Sequence, residues 1–141
     1  MQAAARALRL QSELFDVRGE DDILRAAARD GIGGVVVGAD GLMFGRRQLM
    51  VGAMNSRKLI ASYPGAEFVE GGGLMAYAVN YPNLYFRLAG FVNKIIKGRK
   101  PSEIPVEGPT KFEFVLNLKT ARSLGLTVPS SLLLRADRLI E

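Results

Sequence analysis

At 141 residues the chain fits one domain and can bury a sizeable core, and its composition, 48% hydrophobic and 23% charged, is globular with no disordered tract. Neither cysteine nor histidine occurs, which removes disulfides, thiol chemistry, Cys/His zinc sites and histidine general bases. The net charge of +5 raises a nucleic-acid partner, but the cations are scattered except at Lys94–Lys100. That cluster falls at the end of a predicted helix, where cations complement the helix dipole, so it reads as a solvated face and no nucleic acid is expected.

No apolar run approaches the ~18 residues of a membrane span, and Met1–Leu10 is too short and too interrupted by arginine for the apolar core of a signal peptide. Ala3, Ala4, Ala7 and Leu8 have helical spacing, and Glu13–Val17 alternates as a short strand. Glu20–Asp30 is predicted helical, with three acidic residues in its first turn and Gly31 just past its end. Gly34–Ala39 reads as a strand buried on both faces, because its valines do not alternate with polar residues. Arg46–Ser56 offers Leu49, Met50, Ala53 and Met54 to one helical face.

Ile60–Tyr63 and Leu74–Ala78 are the next two strands, separated by a short acidic helix around Glu67–Glu70 and the break Gly71-Gly72-Gly73. Residues 82–97 form an amphipathic helix, with Pro82 in its first turn, Leu84, Leu88, Phe91, Val92 and Ile95 in register and Gly98 closing it. Arg99–Pro109 carries three prolines and is an extended connector. Lys111–Leu118 alternates as a strand, Thr120–Leu124 is a short helix stopped by Gly125, and Pro129–Ile140 is helical or mixed. Strand and helix thus alternate up to about residue 98, which predicts an α/β fold, a mostly parallel sheet in a three-layer αβα arrangement. The change of character near Gly108 divides the chain into an α/β lobe, 1–108, and a C-terminal strand/helix segment, 109–141.

Gly31-Ile32-Gly33-Gly34 has the look of a dinucleotide fingerprint but precedes its strand instead of following it. The loop Gly38–Gly45 is placed correctly yet lacks the phosphate-binding lysine and glycine spacing. Open α/β sheets bind ligands at the carboxyl ends of their strands. Three successive strand ends carry Asp40 and Phe44, Tyr63 and Glu67, and Tyr77 and Asn80. Asp40 serves equally well as a helix cap or a ligand contact, and Phe44 as core or as a stacking wall. Gly73 and its neighbours make a tight turn or let backbone approach a ligand. Glu67 and Glu70 lack a defined separation for paired-carboxylate chemistry, and Ser62 has no histidine partner. The stretch Leu59–Tyr81 therefore reads as one wall of a binding cleft; no enzyme, cofactor or metal is expected.

From Leu59 to Glu141 the residues resemble a family. Gly72-Gly73-Leu74, Tyr77, Lys94–Gly98, Lys100-Pro101, Pro105-Val106-Glu107, Pro109–Phe114, Asn117–Ala121, Leu124–Thr127 and Leu132–Asp137 stand as in the C-terminal part of ABC-transporter substrate-binding proteins of the tryptophan/tyrosine type. The resemblance implies the second lobe of a two-lobed, type I periplasmic-binding-protein fold. It also implies a small organic ligand, an aromatic amino acid or aromatic acid, held between lobes and passed to an ABC permease. Asp40, Phe44, Tyr63, Glu67, Gly73, Tyr77 and Asn80 lie where that lobe faces ligand. Such proteins are roughly twice this length, two lobes of ordinary domain size. The expectation is therefore a lobe truncated at its N-terminus, without export signal or first strand, leaving a gap between Glu13–Val17 and Val35–Val37. Segment 109–141 would cross towards the first lobe, exposing Phe112, Phe114, Leu116 and Leu132–Leu134 and favouring a homodimer with Lys111–Leu118 exchanged or filling the gap. The family implies a periplasmic protein; a genuine start at Met1 implies a cytoplasmic one. The alternative to a transport component is a non-exported sensor or interaction module, or a functionless remnant.

Overall fold

The computed structural model describes residues 2–141, the side chain of Gln2 excepted. Its five strands are β1 Gly34–Val36, β2 Ile60–Tyr63, β3 Met75–Val79, β4 Phe112–Asn117 and β5 Arg138–Ile140, lying side by side in sequence order. β1–β2, β2–β3 and β4–β5 run parallel, and β3–β4 is antiparallel with Tyr77 opposite Phe114. Eight α-helices among the described residues connect them: α1 Gln2–Ala7, α2 Glu20–Ala27, α3 Gly41–Gly45, α4 Arg47–Ser56, α5 Ala66–Glu70, α6 Tyr81–Ile96, α7 Leu118–Ser123 and α8 Ser130–Leu133. The α/β architecture and mostly parallel sheet follow the alternation in the sequence.

Helices cover both faces. Ile23 and Ala27 of α2, Met50, Val51 and Met54 of α4, and Phe68 and Val69 of α5 close over Ala61, Tyr63, Ala76 and Val115. Burying side chains of this size, at ~1.5–3 kcal/mol each, is the main favourable term holding that face together. On the other face, Ala121 of α7, Leu133 of α8 and Ala136 pack on Leu74, Met75 and Leu116. The last strand is clamped in place by side chains. Asp137 accepts from the Phe114 amide at 2.8 Å while its own amide donates to the Phe114 carbonyl at 2.8 Å. Arg138 donates to Glu70 at 2.6 Å and lies 3.5 Å from Glu113.

Four expectations need correcting. Residues 13–17 form no strand: β1 is the outer strand of the sheet, so their alternation meets no ladder, and the stretch is tethered instead by Arg29, which pairs with Glu13 at 2.8 Å and lies over the Phe15 ring. β1 is not buried on both faces, since Val36 is 63% exposed on an edge with a single neighbour. With no strand at residues 13–17 the expected gap between two strands is not seen, and the outer edge of β1 is unpaired among the described residues; β4 does not take that position but lies beyond β3, bonded on both sides. Segment 109–141 accordingly joins this sheet. Leu116 is 2% exposed and Phe114 and Leu133 are half-buried, although Phe112, Leu132 and Leu134 remain exposed as expected.

The amphipathic helix predicted over 82–97 is present as α6, but none of its residues is buried. Its apolar side chains meet the connector instead. Leu84, Leu88, Phe91 and Ile95 line a groove closed by Pro101, Ile104, Pro105 and Val106. Arg87 locks it by donating to Thr110 Oγ1 at 2.8 Å and pairing with Glu107.

Candidate ligand-binding site

Because β1, β2 and β3 are parallel, their carboxyl ends lie on one edge of the sheet, and the chain leaves each end into a helix. After β1, Asp40 is the N-cap of α3 and accepts from the Leu42 amide at 2.7 Å. A cap of this kind satisfies one of the orphan amides of the first turn. The loop expected over Gly38–Gly45 is therefore half helix, and α3 carries Phe44 towards the neighbouring strand end.

After β2 the chain turns through Pro64-Gly65 into α5, whose first turn carries Glu67. Gly65 is hemmed in: a Cβ there would stand 2.4 Å from Glu67 Oε2 and 3.0 Å from Phe44 Cε1. The Glu67 carboxylate and the edge of the Phe44 ring thus lie over the same glycine. Phe44 also meets Phe68 edge-on at 5.2 Å between centroids and Tyr81 at 6.1 Å. After β3, Asn80 caps α6 by accepting from the Asn83 amide at 2.9 Å, and its side-chain amide donates to Glu113 at 3.0 Å. With both ends of its amide committed, Asn80 fixes where α6 begins and so holds Tyr81 against Phe44.

Asp40, Phe44, Glu67 and Asn80 are therefore gathered at one sheet edge, with two residues the sequence reading missed. Gly65 and Tyr81 carried a signal, being the positions next to Pro64 and Asn80 at the same strand ends. The other three candidates stand elsewhere. Tyr63 is 2% exposed in the core, stacked on Phe68 at 5.2 Å, so it has no face open to a ligand. Its hydroxyl has no hydrogen-bond partner, and burial pushes its pKa well above the usual tyrosine value. Gly73 lies beneath that ring and belongs to the same core. Tyr77 alternates with buried Ala76 and Ala78, so it points out of the opposite face of the sheet, where it stacks on Phe112 at 5.8 Å.

The triglycine resolves as a packed turn. The Gly72 carbonyl accepts from Asn55 Nδ2 and Thr120 Oγ1, each at 2.9 Å, and Asn117 donates to the Val69 carbonyl at 3.2 Å. Gly72 has φ +100°, a conformation for which glycine carries no side-chain penalty. Three helices are thereby tied to one turn, which positions α5 and Glu67 at the cleft edge.

Chemically the edge offers aromatic walls, Phe44 and Tyr81, beside two exposed carboxylates, Asp40 and Glu67. Among the described residues no group of three or more acidic side chains is placed to hold a metal ion, and no helix is long and apolar enough to cross a membrane.

Three solved structures share this arrangement. A conserved domain protein from Vibrio cholerae superposes with a TM-score of 0.89 at 20% identity, covering 98% of this chain and 47% of its own. An ABC domain in complex with L-Trp from Streptococcus pneumoniae gives 0.87 at 25% identity, covering 98% and 49%. A ligand-free, open substrate binding protein with adhesive properties from Clostridium difficile gives 0.68 at 17% identity, covering 99% and 47%. This chain spans about half the length of these structures. No curated protein matches it significantly. The model of the ABC transporter substrate binding protein family matches residues 23–140, which include all five strands of the sheet, and the chain belongs to that family.

Proposed function

We propose that the chain is a solute-binding lobe for a small organic ligand that joins an aromatic or flat apolar body to an ammonium group. The observation that carries this reading is the wedge of Phe44 between Glu67 and Tyr81. One aromatic ring offers a stacking surface within reach of a carboxylate at the sheet edge where α/β folds take ligands. The S. pneumoniae structure, similar over nearly the whole chain, holds L-Trp, which has these two features. A role in transport follows as part of the proposal: the lobe contributes half of a clamp outside the cytoplasm and presents the ligand to an ABC permease.

Titration calorimetry with L-tryptophan, L-tyrosine and L-phenylalanine tests the reading, with indole-3-propionate as the ligand lacking the amine. A single lobe encloses less of its ligand than a closed cleft, so dissociation constants of ~0.1–1 mM are expected for the amino acids. Indole-3-propionate should bind more weakly. Absence of heat and of a thermal shift with all four compounds would refute it.

A further inference from the structure

The two walls of the candidate site stand on separate helices: α5 carries Glu67 and Phe68, and α6 opens with Tyr81. A line of polar side chains links one helix to the other. Glu70, the last residue of α5, accepts from Arg138 Nη2 at 2.6 Å. Arg138 Nη1 lies 3.5 Å from Glu113 Oε1. Glu113 Oε2 accepts from Asn80 Nδ2 at 3.0 Å, and Asn80 Oδ1 caps α6.

The sheet brings these groups within reach. Val115 follows Glu113 by two residues and lies in register with Arg138, so both side chains stand on the face that α5 covers. In the antiparallel pairing Glu113 is opposite Ala78, close to where β3 ends and Asn80 follows. The side chain of Glu113 is 17% exposed, and a carboxylate so far withdrawn from water is costly unless it is paired. Each of its oxygens faces one donor of this line. Arg138 suits the middle place because its planar fork presents separate nitrogens to two carboxylates. Donor meets acceptor at every link.

We infer that Glu113 and Arg138 are positioning residues for the ligand edge, bracing α5 and α6 at one spacing so that Tyr81 is held against Phe44. The inference rests on the reading of Phe44, Glu67 and Tyr81 as the ligand's surroundings. It gives β4 and β5 a part in binding, although neither strand carries a wall residue.

Inverting the polarity of one link tests it. Asn80→Asp keeps the cap of α6 but sets acceptor against acceptor at Glu113. Glu113→Gln sets a donor against either Asn80 or Arg138. Asn80→Asp combined with Glu113→Gln restores a donor facing an acceptor throughout, at unchanged net charge. Nuclear Overhauser contacts between the Tyr81 and Phe44 rings read the placement without a ligand. Calorimetry with L-tryptophan and indole-3-propionate reads its effect on binding, and a loss shared by both ligands separates placement from charge. Each single variant should weaken the ring contact and lower both affinities about three- to tenfold, and the double variant should recover to within about twofold. Arg138→Met cuts the line at a side chain that is nearly half exposed, so it should keep the circular dichroism spectrum and still weaken the ring contact and both affinities. A ring contact left intact by the single variants or by Arg138→Met would overturn the proposal, and so would a double variant no better than its parents; these side chains would then merely pin β5. If the unmodified protein binds neither compound, the ligand reading falls, and the brace is judged on the ring contact alone.

Discussion

Gly73 lies under the Tyr63 ring so closely that a Cβ on it would stand 2.7 Å from Cε2 and 2.8 Å from the Phe68 carbonyl oxygen. The ring could rotate aside only by leaving its stack on Phe68, and the carbonyl belongs to the backbone of α5. Gly73→Ala is therefore expected to destabilise the fold by ~1–3 kcal/mol, the usual cost of overpacking a filled core. Urea denaturation should show a lower midpoint with an unchanged slope.

Tyr63 carries the opposite lesson. Its enclosed hydroxyl lacks a partner, and a buried unsatisfied group costs about 1–3 kcal/mol. Tyr63→Phe keeps the stack and removes that cost, so the melting temperature should rise or hold. The pH dependence follows from the raised pKa. The unfolded chain releases the phenolic proton near the ordinary tyrosine value of 10.0, before the folded chain does. Stability tied to Tyr63 is therefore complete below that pH and falls as pH rises above it. Tyr63→Phe should flatten the alkaline limb of a stability–pH curve; an identical limb in both proteins would show that the loss comes from other groups.

Asn117 joins two elements through one side chain, accepting from the Thr120 amide at 2.9 Å as the cap of α7 and donating to the Val69 carbonyl of α5. Asn117→Ala removes both bonds in a buried place and should cost ~1–3 kcal/mol. Asn117→Asp keeps the cap but turns a carboxylate oxygen towards the Val69 carbonyl, so it should rescue little. Thermal melts of the two variants would separate the cap, which Asn117→Asp keeps, from the bridge, which both remove.

These contrasts show what a sequence exposes. Asp40, Phe44, Glu67 and Asn80 were legible because a parallel sheet gathers the carboxyl ends of its strands at one edge, whatever the details of packing. Tyr63 and Tyr77 were not, because successive side chains of a strand point to opposite faces, and which face is covered depends on the neighbours. The extent of α6 was legible from its period and from Pro82. Its exposure was not, since amphipathicity says that a stripe will be covered and not by what. The alternation of residues 13–17 is compatible with a strand, yet a strand exists only where a ladder partner lies beside it. The direction of β4 escaped for a related reason: alternation assigns faces and carries no sign of parallel or antiparallel pairing.

The candidate site itself is tested by separating its aromatic from its charged half. Phe44→Leu keeps an apolar side chain against Phe68 while removing the ring edge that faces Tyr81. An aromatic pair contributes ~0.5–1.5 kcal/mol beyond burial, so affinity for L-tryptophan and for indole-3-propionate should fall together, by about two- to twelvefold. Glu67→Gln keeps the shape over Gly65 and removes the charge. It should weaken only the ligands bearing an ammonium group, and more at low ionic strength than at high, because Glu67 is exposed. Calorimetry on the four combinations of protein and ligand decides the matter. Equal losses for both ligands in both variants would mean that the two side chains merely support α5, and that the ligand lies elsewhere.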